Sequence, residues 1–442
     1  MTERFDLVLR GGECVLPAGT QAADVGIVAG RVAAIGALGN ALAAEVFDAR
    51  GLTILPGVID TQVHFREPGN EHKEDLDTGT HAAILGGVTA VFEMPNTDPP
   101  TTTVAALADK LARARRRAWC DHAFYAGATT ENARTLGALE RVPGCCGVKV
   151  FMGSSTGSLL VPDDEHVRAV LANTKRRVAV HSEDEERLKE RKSIAEKSGD
   201  VHDHPVWRDA GTALRSTTRL LKIARDLSRR VHVLHVTTAE EIAFLAGNKD
   251  IASVEVTPQH LTLVAPDCYD RLGTLAQMNP PIRDKTHQDQ LWRGLAQGVV
   301  DVIGSDHAPH TREEKAKRYP ASPSGMPGVQ TLVPVMLDHV QAGRLTLARF
   351  VDLTVLNPAR LFGLVNKGAL AVGRDADLTV VDLRARRTIT DEWIASRCGW
   401  TPFNGTTVTG WPKATVIRGT IVMRDDEVIG RPQGQPLQFS AA

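Results

Sequence analysis

Eight apolar, β-branched segments alternate with helical stretches along the middle of this 442-residue chain. This alternation limits the fold more than any other feature, because eight strand–helix units predict a (β/α)8 TIM barrel with a parallel inner sheet. A doubly wound open sheet is the alternative, but no G-x-G-x-x-G fingerprint follows the first segment. The strand-like segments span residues 53–60, 88–95, 120–127, 147–153, 177–183, 231–236, 252–258 and 299–306.

The two ends of the chain have a different pattern from the middle. Residues 5–36 read as short strands broken by glycine, and similar segments return at 375–382 and 414–425. We therefore predict that both ends build one small composite β-sandwich domain. The expected division is 1–54 for the N-terminal part of this sandwich, 55–366 for the barrel and 367–442 for the C-terminal part.

Charge and cysteine content exclude several classes of partner. There are 52 Lys and Arg against 53 Asp and Glu, which predicts no nucleic-acid partner. No apolar segment is long enough to span a bilayer, and the charged N-terminus lacks the apolar core of a signal peptide, so we expect no membrane association. The six cysteines form no C-x-x-C pair, which favours reduced thiols and a cytoplasmic location.

Polar residues of metal-binding or catalytic types lie late in, or just after, several strand-like segments. In a barrel these positions converge at the C-terminal ends of the strands, where active sites lie. One histidine at a strand end is more often structural, but three at equivalent ends predict a metal, with zinc favoured over manganese or cobalt. The residues are His64, Asn96, Lys149, His181, His235 and Asp306.

The first strand adds a set of polar side chains on one face. Because side chains alternate along a strand, Asp60, Gln62, His64 and Arg66 are expected to point the same way. This segment therefore brings a candidate ligand and a cation to the same end of the barrel.

Lys149 and Asp306 have interpretations beyond simple coordination. Lys149 lies among apolar residues, so burial would lower its pKa, and the neutral amine could take up carbon dioxide as a carbamate that bridges two metals. The alternative is a lysine whose amine reaches solvent at the strand end. Asp306 would bind the ion and carry a proton from the attacking water to the leaving nitrogen, with helix capping as the alternative.

Several longer motifs resemble those of dihydroorotases in the amidohydrolase superfamily. The segment D-T-Q-V-H-F-R-E-P-G at 60–69 is similar to the family's D-x-H-x-H-x-R-E-P-G, and the resemblance extends over nearly the whole chain. The other matching motifs are MPNT (94–97), KVFMGSSTG (149–157), MNPPIR (278–283), SDHAPH (305–310) and GALAVGRDADL (368–378).

The resemblance implies a role for each matching residue. One zinc ion would be held by His64, Asp306 and a bridging N6-carboxylysine at Lys149, and a second by Lys149, His181 and His235. An arginine, an amide and an imidazole would grip the substrate's carboxylate, a combination that suits an anion. The residues implied in substrate binding are Arg66, Asn96 and His310 for the carboxylate, Asn279 for the ring, and the backbone near Pro327 and Gly328.

The resemblance also implies the reaction. It predicts the reversible cyclisation of N-carbamoyl-L-aspartate to L-dihydroorotate in de novo pyrimidine biosynthesis, by metal-bound hydroxide with Asp306 as the proton shuttle. A homodimer is expected, and a complex with aspartate transcarbamoylase is left open. Allantoinases and hydantoinases share the metal ligands but lack the Arg–Asn–His set, so an enzyme of that type is the alternative.

Gln62 departs from the family pattern, because it replaces the first histidine of H-x-H. An amide oxygen is a weak ligand for zinc beside imidazole, so the number of zinc ions, one or two per chain, depends on this residue. Three outcomes follow: a binuclear site with a weakened ion, a mononuclear enzyme, or an inactive scaffold partner of aspartate transcarbamoylase. A solute-binding barrel without chemistry would not need Asp306 beside a metal. The retained ligands and carboxylate-binding set favour the active enzyme.

Overall fold

The computed structural model describes residues 4–441, and its strands form two sheets. The first sheet begins with the N-terminal strands, of which β1 is long and carries a bulge between Leu9 and Gly12. These strands are β1 (Phe5–Leu16), β2 (Gly19–Val28), β3 (Arg31–Gly36), β4 (Ala43–Asp48) and β5 (Thr53–Pro56).

The second sheet is the barrel, in which eight parallel strands follow one another in space in chain order. Its first and last strands meet through a bridge between Val63 and His307, and the N–H of His64 donates to the carbonyl of His307 over 2.7 Å. The sheet is therefore nearly closed, which confirms the predicted TIM barrel. The strands are β6 (Val58–Val63), β7 (Val88–Glu93), β8 (Asp121–Gly127), β9 (Cys145–Phe151), β10 (Val178–His181), β11 (Val231–Val233), β12 (Ala252–Val256) and β13 (Val302–Ile303).

Four C-terminal strands complete the first sheet: β14 (Leu378–Thr388), β15 (Thr407–Ile417), β16 (Thr420–Arg424) and β17 (Glu427–Val428). The order is β17-β16-β15-β14-β5-β1-β2-β3, with β4 beside β1, so β5 and β14 join the two ends of the chain. Leu9, Ile54, Val380 and Val416 share one core, which confirms that both termini build one β unit. Boundaries at 54/55 and 366/367 stay our proposed division.

Helices occupy the connections of the barrel, and most of them begin with a side-chain cap. Asp184, for example, accepts from the N–H of Arg187 at the start of the fifth helix, which ends at Gly199 in a left-handed conformation. The helices are α1 (Leu76–Leu85), α2 (Val104–Ala114), α3 (Ala133–Leu139), α4 (Asp164–Asn173), α5 (Glu185–Ser198), α6 (His204–Trp207), α7 (Ala210–Asp226), α8 (Ala239–Ala246), α9 (Pro258–Thr262), α10 (Asp267–Leu272), α11 (Lys285–Ala296), α12 (Arg312–Lys315), α13 (Leu332–Gln341), α14 (Leu347–Val351) and α15 (Asn357–Phe362).

The first strand-like segment, 53–60, is divided between the two sheets rather than forming one strand. The division falls at Gly57, whose N–H donates to the carbonyl of Asp377 over 2.8 Å. A Cβ atom at this position would lie 2.3 Å from Thr89 Oγ1, so only glycine lets the backbone pass. A continuous apolar segment cannot reveal such a change of sheet, because both parts are fully buried.

The interior of the barrel is a packed core that closes the end opposite the predicted site. Ile59, Phe92 and Tyr125 pack there with Phe362 and Leu437 from later in the chain, and the rings of Phe92 and Phe362 meet edge-to-face at 5.1 Å. The barrel is therefore open to ligands at the C-terminal ends of its strands. Among residues 4–441, no helix combines the length and the apolarity needed to cross a membrane.

Candidate active site

Most of the predicted site residues converge in one pocket at the C-terminal end of the barrel. They arrive from the ends of different strands, as expected for a barrel enzyme. The pocket is lined by Gln62, His64, Arg66, Asn96, Lys149, His181, His235, Asn279 and Asp306.

Three of these residues have unusual backbone conformations. Arg66, His235 and Asp306 have φ angles of 63°, 36° and 44°, in the left-handed region that side chains other than glycine rarely adopt. Such a residue costs about 1–3 kcal/mol, and such strain persists mainly where function requires it. Arg66 lies beyond the last residue of β6, Val63, yet it lines the same pocket as Gln62 and His64.

His64 presents one ring nitrogen to Asp306. Asn96 Nδ2 donates to Thr156 O over 2.9 Å, so Asn96 Oδ1 accepts from His64 Nδ1 over 2.7 Å. Burial holds the pKa of His64 well below its usual range, and the neutral ring turns the lone pair of Nε2 toward Asp306 Oδ1, 3.2 Å away. Two acceptors at this distance need a proton or a cation between them.

His181 is oriented from behind by a buried ion pair. Its Nε2 donates to Glu183 Oε2 over 2.8 Å, and Glu183 is held by Arg208 at 2.5 Å. Nδ1 of His181 therefore turns its lone pair toward His235 Nε2, 3.0 Å away. Burial lowers the pKa of both histidines, and neutral imidazole is the form that binds metal.

The donor atoms form two pairs rather than one cluster. Within residues 4–441, no three His, Cys, Asp or Glu side chains are grouped closely enough to hold a metal by themselves. Yet the separations of 3.2 Å and 3.0 Å are close to the roughly 3.3 Å between two ligands on a tetrahedral zinc ion with bonds of about 2.05 Å. Each pair lacks a further donor, and the pocket supplies Lys149. The residues therefore fit a divalent metal in which a carbamate on Lys149 completes the ligands.

The chemistry of Lys149 suits that modification. Its side chain is buried, with Nζ 4.4 Å from the ring centroid of Phe151. Burial lowers the pKa of Lys149 to about 7, although the charges of Asp306 and Glu255 act in the opposite direction. A substantial fraction of the amine is therefore neutral near pH 7, the form that reacts with carbon dioxide.

Gln62 places a hydrogen-bond donor where the family pattern has an imidazole. Its Nε2 donates to Asp306 Oδ1 over 2.9 Å, the same oxygen that His64 faces. Gln62 Oε1 is buried, without a hydrogen-bond partner among the described residues. In this orientation the amide neutralises part of the carboxylate's charge rather than offering a ligand to a metal.

Arg66 is a buried cation that points into the pocket. Its guanidinium donates to Pro309 O over 3.2 Å and lies 3.4 Å from His310 Nε2, and within the described chain no carboxylate lies at ion-pair distance from it. Burial lowers the pKa of Arg66 to about 10, so it stays charged at neutral pH. An unpaired buried charge is costly, which indicates an anionic ligand.

His310 lies behind Arg66 rather than in the pocket wall. Its Nε2 donates to Ser324 O over 3.1 Å, and Lys73 Nζ donates to its Nδ1 over 3.2 Å. Burial and the charge of Arg66 lower the pKa of His310 to about 3, so the ring is neutral. In this structure the imidazole supports the position of Arg66, and a direct contact with substrate remains a prediction.

The predicted ring-binding residues occupy two different places. Asn279 lines the pocket, with its Oδ1 3.0 Å from His204 Nε2. For the part of the chain described, Pro327 and Gly328 do not contribute to the lining; the N–H of Gly328 donates to His307 Nδ1 over 3.1 Å. Their contact with a substrate ring remains a prediction that requires this segment to shift.

The pocket is narrow in this structure. Its volume is about 20 Å³, which suits a water-sized group and not a six-membered ring. A cleft of about 500 Å³ adjoins it, and the shared wall consists of Ser155, Thr156, Asn279 and Ser324. A cyclic substrate must therefore displace these residues to reach Asp306 from the cleft.

The sequence interpretation missed Glu183 and Arg208. Glu183 follows His181 by two residues, and the alternation of side chains at a strand end could have indicated that it lies near the histidine. Arg208 carries no such signal, because it comes from the loop between α6 and α7. Its partner is Glu183 and not a neighbour in the sequence.

Removing the charge of Glu183 is expected to destabilise the fold. Burial raises the pKa of Glu183, but the charge of Arg208 and the hydrogen bond from His181 outweigh it and hold the pKa below its ordinary range. The ion pair's contribution to the free energy of unfolding is therefore fully present at pH values above the ordinary carboxyl pKa. It is lost as the pH falls from that value toward the lowered pKa of Glu183. E183Q leaves Arg208 buried and unpaired, so urea unfolding at pH 7 should show a loss of about 3–5 kcal/mol.

The control for this measurement is an exposed ion pair nearby, between Glu186 on α5 and Arg215 on α7. E186Q should change the free energy of unfolding by less than about 1 kcal/mol. Equal effects of the two substitutions would contradict the role given to the buried pair.

The chain is similar to several known proteins over almost its whole length. Residues 53–422 match the model of the amidohydrolase family. A dihydroorotase of Halobacterium salinarum is 39% identical over 407 residues, which cover 89% of this chain and 92% of that protein. An allantoinase of Deinococcus radiodurans is 34% identical over 447 residues, 98% of this chain and 99% of that protein. The solved structure of the L-hydantoinase (dihydropyrimidinase) of Arthrobacter aurescens superposes on this chain with a TM-score of 0.93 and is 29% identical in sequence. The superposition covers 98% of this chain and 99% of the hydantoinase chain.

Proposed function

We propose that this chain, which belongs to the amidohydrolase family, is a dihydroorotase that interconverts N-carbamoyl-L-aspartate and L-dihydroorotate. Membership of the family, with dihydroorotases among its relatives, makes it a metal-dependent hydrolase of cyclic amides. Because an allantoinase and hydantoinases are also similar to it, the substrate must be argued from the pocket.

The observation that carries the proposal is the unpaired, buried Arg66. Its guanidinium has no carboxylate partner in the described chain, and it lines the pocket together with Asn96 and the paired metal-ligand atoms. A carboxylate beside the reacting amide would pair with Arg66 and remove the cost of burying its charge. Dihydroorotate carries such a carboxylate next to its ring amide, whereas hydantoin and allantoin rings carry none.

The residues of the pocket have separable tasks in the reaction. A divalent cation bound here would supply a Lewis acid that activates water and polarises the amide carbonyl. Asp306 Oδ1 is engaged by Gln62 and His64, so we assign proton transfer to Oδ2, which takes a proton from the attacking water and returns it to the ring nitrogen. Burial raises the pKa of Asp306 to about 7, against the opposing charge of Lys149, and this suits proton exchange near neutral pH.

We propose that one zinc ion per chain is resident, at Lys149, His181 and His235. The two neutral imidazoles and Lys149 line the same pocket, whereas at the other pair Gln62 Nε2 already donates to Asp306. An N6-carboxylysine at Lys149 is part of the same proposal, because the histidine pair needs an anionic third ligand.

Restoring the imidazole is expected to add a second ion. Elemental analysis of the purified protein should give near one zinc per chain, and Q62H should give near two, because imidazole binds zinc better than an amide does. Q62L, which removes the amide without adding a ligand, should remain near one. Two ions in the unaltered protein would show that the amide is tolerated at a binuclear site.

We propose a reducing, cytoplasmic setting for the enzyme. All six cysteines are free and buried, which is consistent with the reducing cytoplasm and with pyrimidine biosynthesis there. The homodimer and the complex with aspartate transcarbamoylase are proposed from the family resemblance alone.

The direct test is an assay of both directions with purified protein supplied with zinc and bicarbonate. We expect ring opening of L-dihydroorotate and cyclisation of N-carbamoyl-L-aspartate. An absence of turnover in both directions would reject the proposal and favour the inactive scaffold. Faster turnover of allantoin or hydantoin would reject it in favour of those activities.

A further inference from the structure

A strongly basic cavity lies at the end of the barrel opposite the active site. We call it the basal cavity; it encloses about 380 Å³ and is lined by Lys175, Arg176, Arg177, Arg229, Arg230 and Arg360, with Phe362 and the segment 440–441 at its edge. Arg177 and Arg230 immediately precede β10 and β11, so the cavity lies at the N-terminal ends of these strands. It shares no residue with the active-site pocket.

The six cations of the basal cavity lack acidic partners. In the described part of the chain, none of them forms an ion pair with a carboxylate, and the carboxylate of Glu140 accepts only from the backbone N–H groups of Lys175 and Arg176. Two arginines on neighbouring helices of the barrel are neutralised, Arg168 by Asp226 and Arg225 by Asp250. The cluster stands out because the chain as a whole has a net charge of −1.

Three of these arginines also bury an unused donor. The Nε atoms of Arg176, Arg177 and Arg229 are buried and have no hydrogen-bond partner among the described residues. A buried guanidinium N–H without an acceptor costs free energy, so the protein itself does not fully compensate these three cations. The guanidinium of Arg176 is also fixed in place, because it stacks on the ring of Phe439 at 5.0 Å.

We propose that the basal cavity binds a small, multiply charged anion that carries phosphate groups. The planar fork of arginine matches phosphate oxygens in pairs, and several converging arginines favour more than one phosphate group over a single carboxylate. The cavity has the concave form and size of a small-molecule site, whereas a macromolecular partner needs an extended surface of about 800 Å².

The test uses the full-length protein and pyrophosphate as the probe, with binding measured by calorimetry at physiological ionic strength. We expect one site per chain with micromolar affinity. R176Q combined with R229Q should weaken binding by about 100-fold or more, because two charge-assisted hydrogen bonds are lost. The matched control, R168Q combined with R225Q, removes the same charge from paired positions and should leave the affinity within about twofold.

Three further measurements separate the possible outcomes. If the double variant unfolds, R230Q combined with R360Q replaces it, since both of these side chains are exposed. The proposal is overturned by no binding of pyrophosphate, by equal affinity of the cavity variant and the control, or by binding of polyglutamate in place of pyrophosphate. Pyrophosphate binding that R66M abolishes would place the anion in the active site and also overturn it.

Discussion

Replacing Asp306 by asparagine is expected to lower turnover of dihydroorotate by about 10³-fold or more, at unchanged zinc content. Asparagine keeps the shape of the side chain but cannot accept and return the proton, a contribution worth about 10²–10⁴ in rate. The resident ion should remain, because it is assigned to Lys149, His181 and His235. Steady-state assays and elemental analysis on the same preparation measure both quantities.

The control for D306N is D289N, which removes a carboxylate from the exposed surface of α11. That variant should retain the rate and the zinc content of the unaltered protein. Retained turnover in D306N would refute the assignment of the proton carrier. Loss of zinc together with activity would show that Asp306 acts chiefly as a ligand of the resident ion.

Replacing Arg66 by methionine is expected to lower kcat/KM for dihydroorotate by about 10³-fold, because two charge-assisted hydrogen bonds to the substrate carboxylate are lost. R66K should show a smaller loss, since lysine keeps the charge but not the planar fork. The residual rate on dihydrouracil, the same ring without the carboxylate, should change by less than about threefold. Initial-rate assays of both substrates measure the difference.

Stability provides an independent readout for Arg66. Its charge is buried without a carboxylate partner in the described chain, so R66M should unfold at a temperature no lower than the unaltered protein. An equal loss of rate on both substrates, or a clear loss of stability, would show that Arg66 supports the fold rather than the substrate.

The fold follows from the sequence because its signals are local and repeated. Seven of the eight apolar segments overlap one barrel strand each, the first is divided between the two sheets, and the glycine-broken segments at both ends form one sheet. The change of sheet at Gly57 was not predictable, because it depends on the distant contacts of Thr89 and Asp377. Local hydrophobicity carries no information about which sheet a buried strand joins.

The sequence predicts which residues form the site, but not how their side chains pair with one another. His64, Lys149, His181, His235 and Asp306 lie in one pocket because the ends of parallel strands converge. The pairing of these donors, the hydrogen bond from Gln62 and the placement of His310 behind Arg66 depend on side-chain orientation across the barrel. Spacing along the chain does not encode these contacts, and the same holds for the pair of Glu183 and Arg208.

The most direct test of the central claim is the ratio of kcat/KM for L-dihydroorotate to that for dihydrouracil. The two rings differ only by the carboxylate that Arg66 is proposed to bind. We expect kcat/KM to be higher for dihydroorotate by about 10³-fold or more, because two charge-assisted hydrogen bonds to the carboxylate contribute a factor of this size. Comparable rates on the two substrates, or a preference for dihydrouracil, would contradict the assignment of this pocket to a carboxylate-bearing ring.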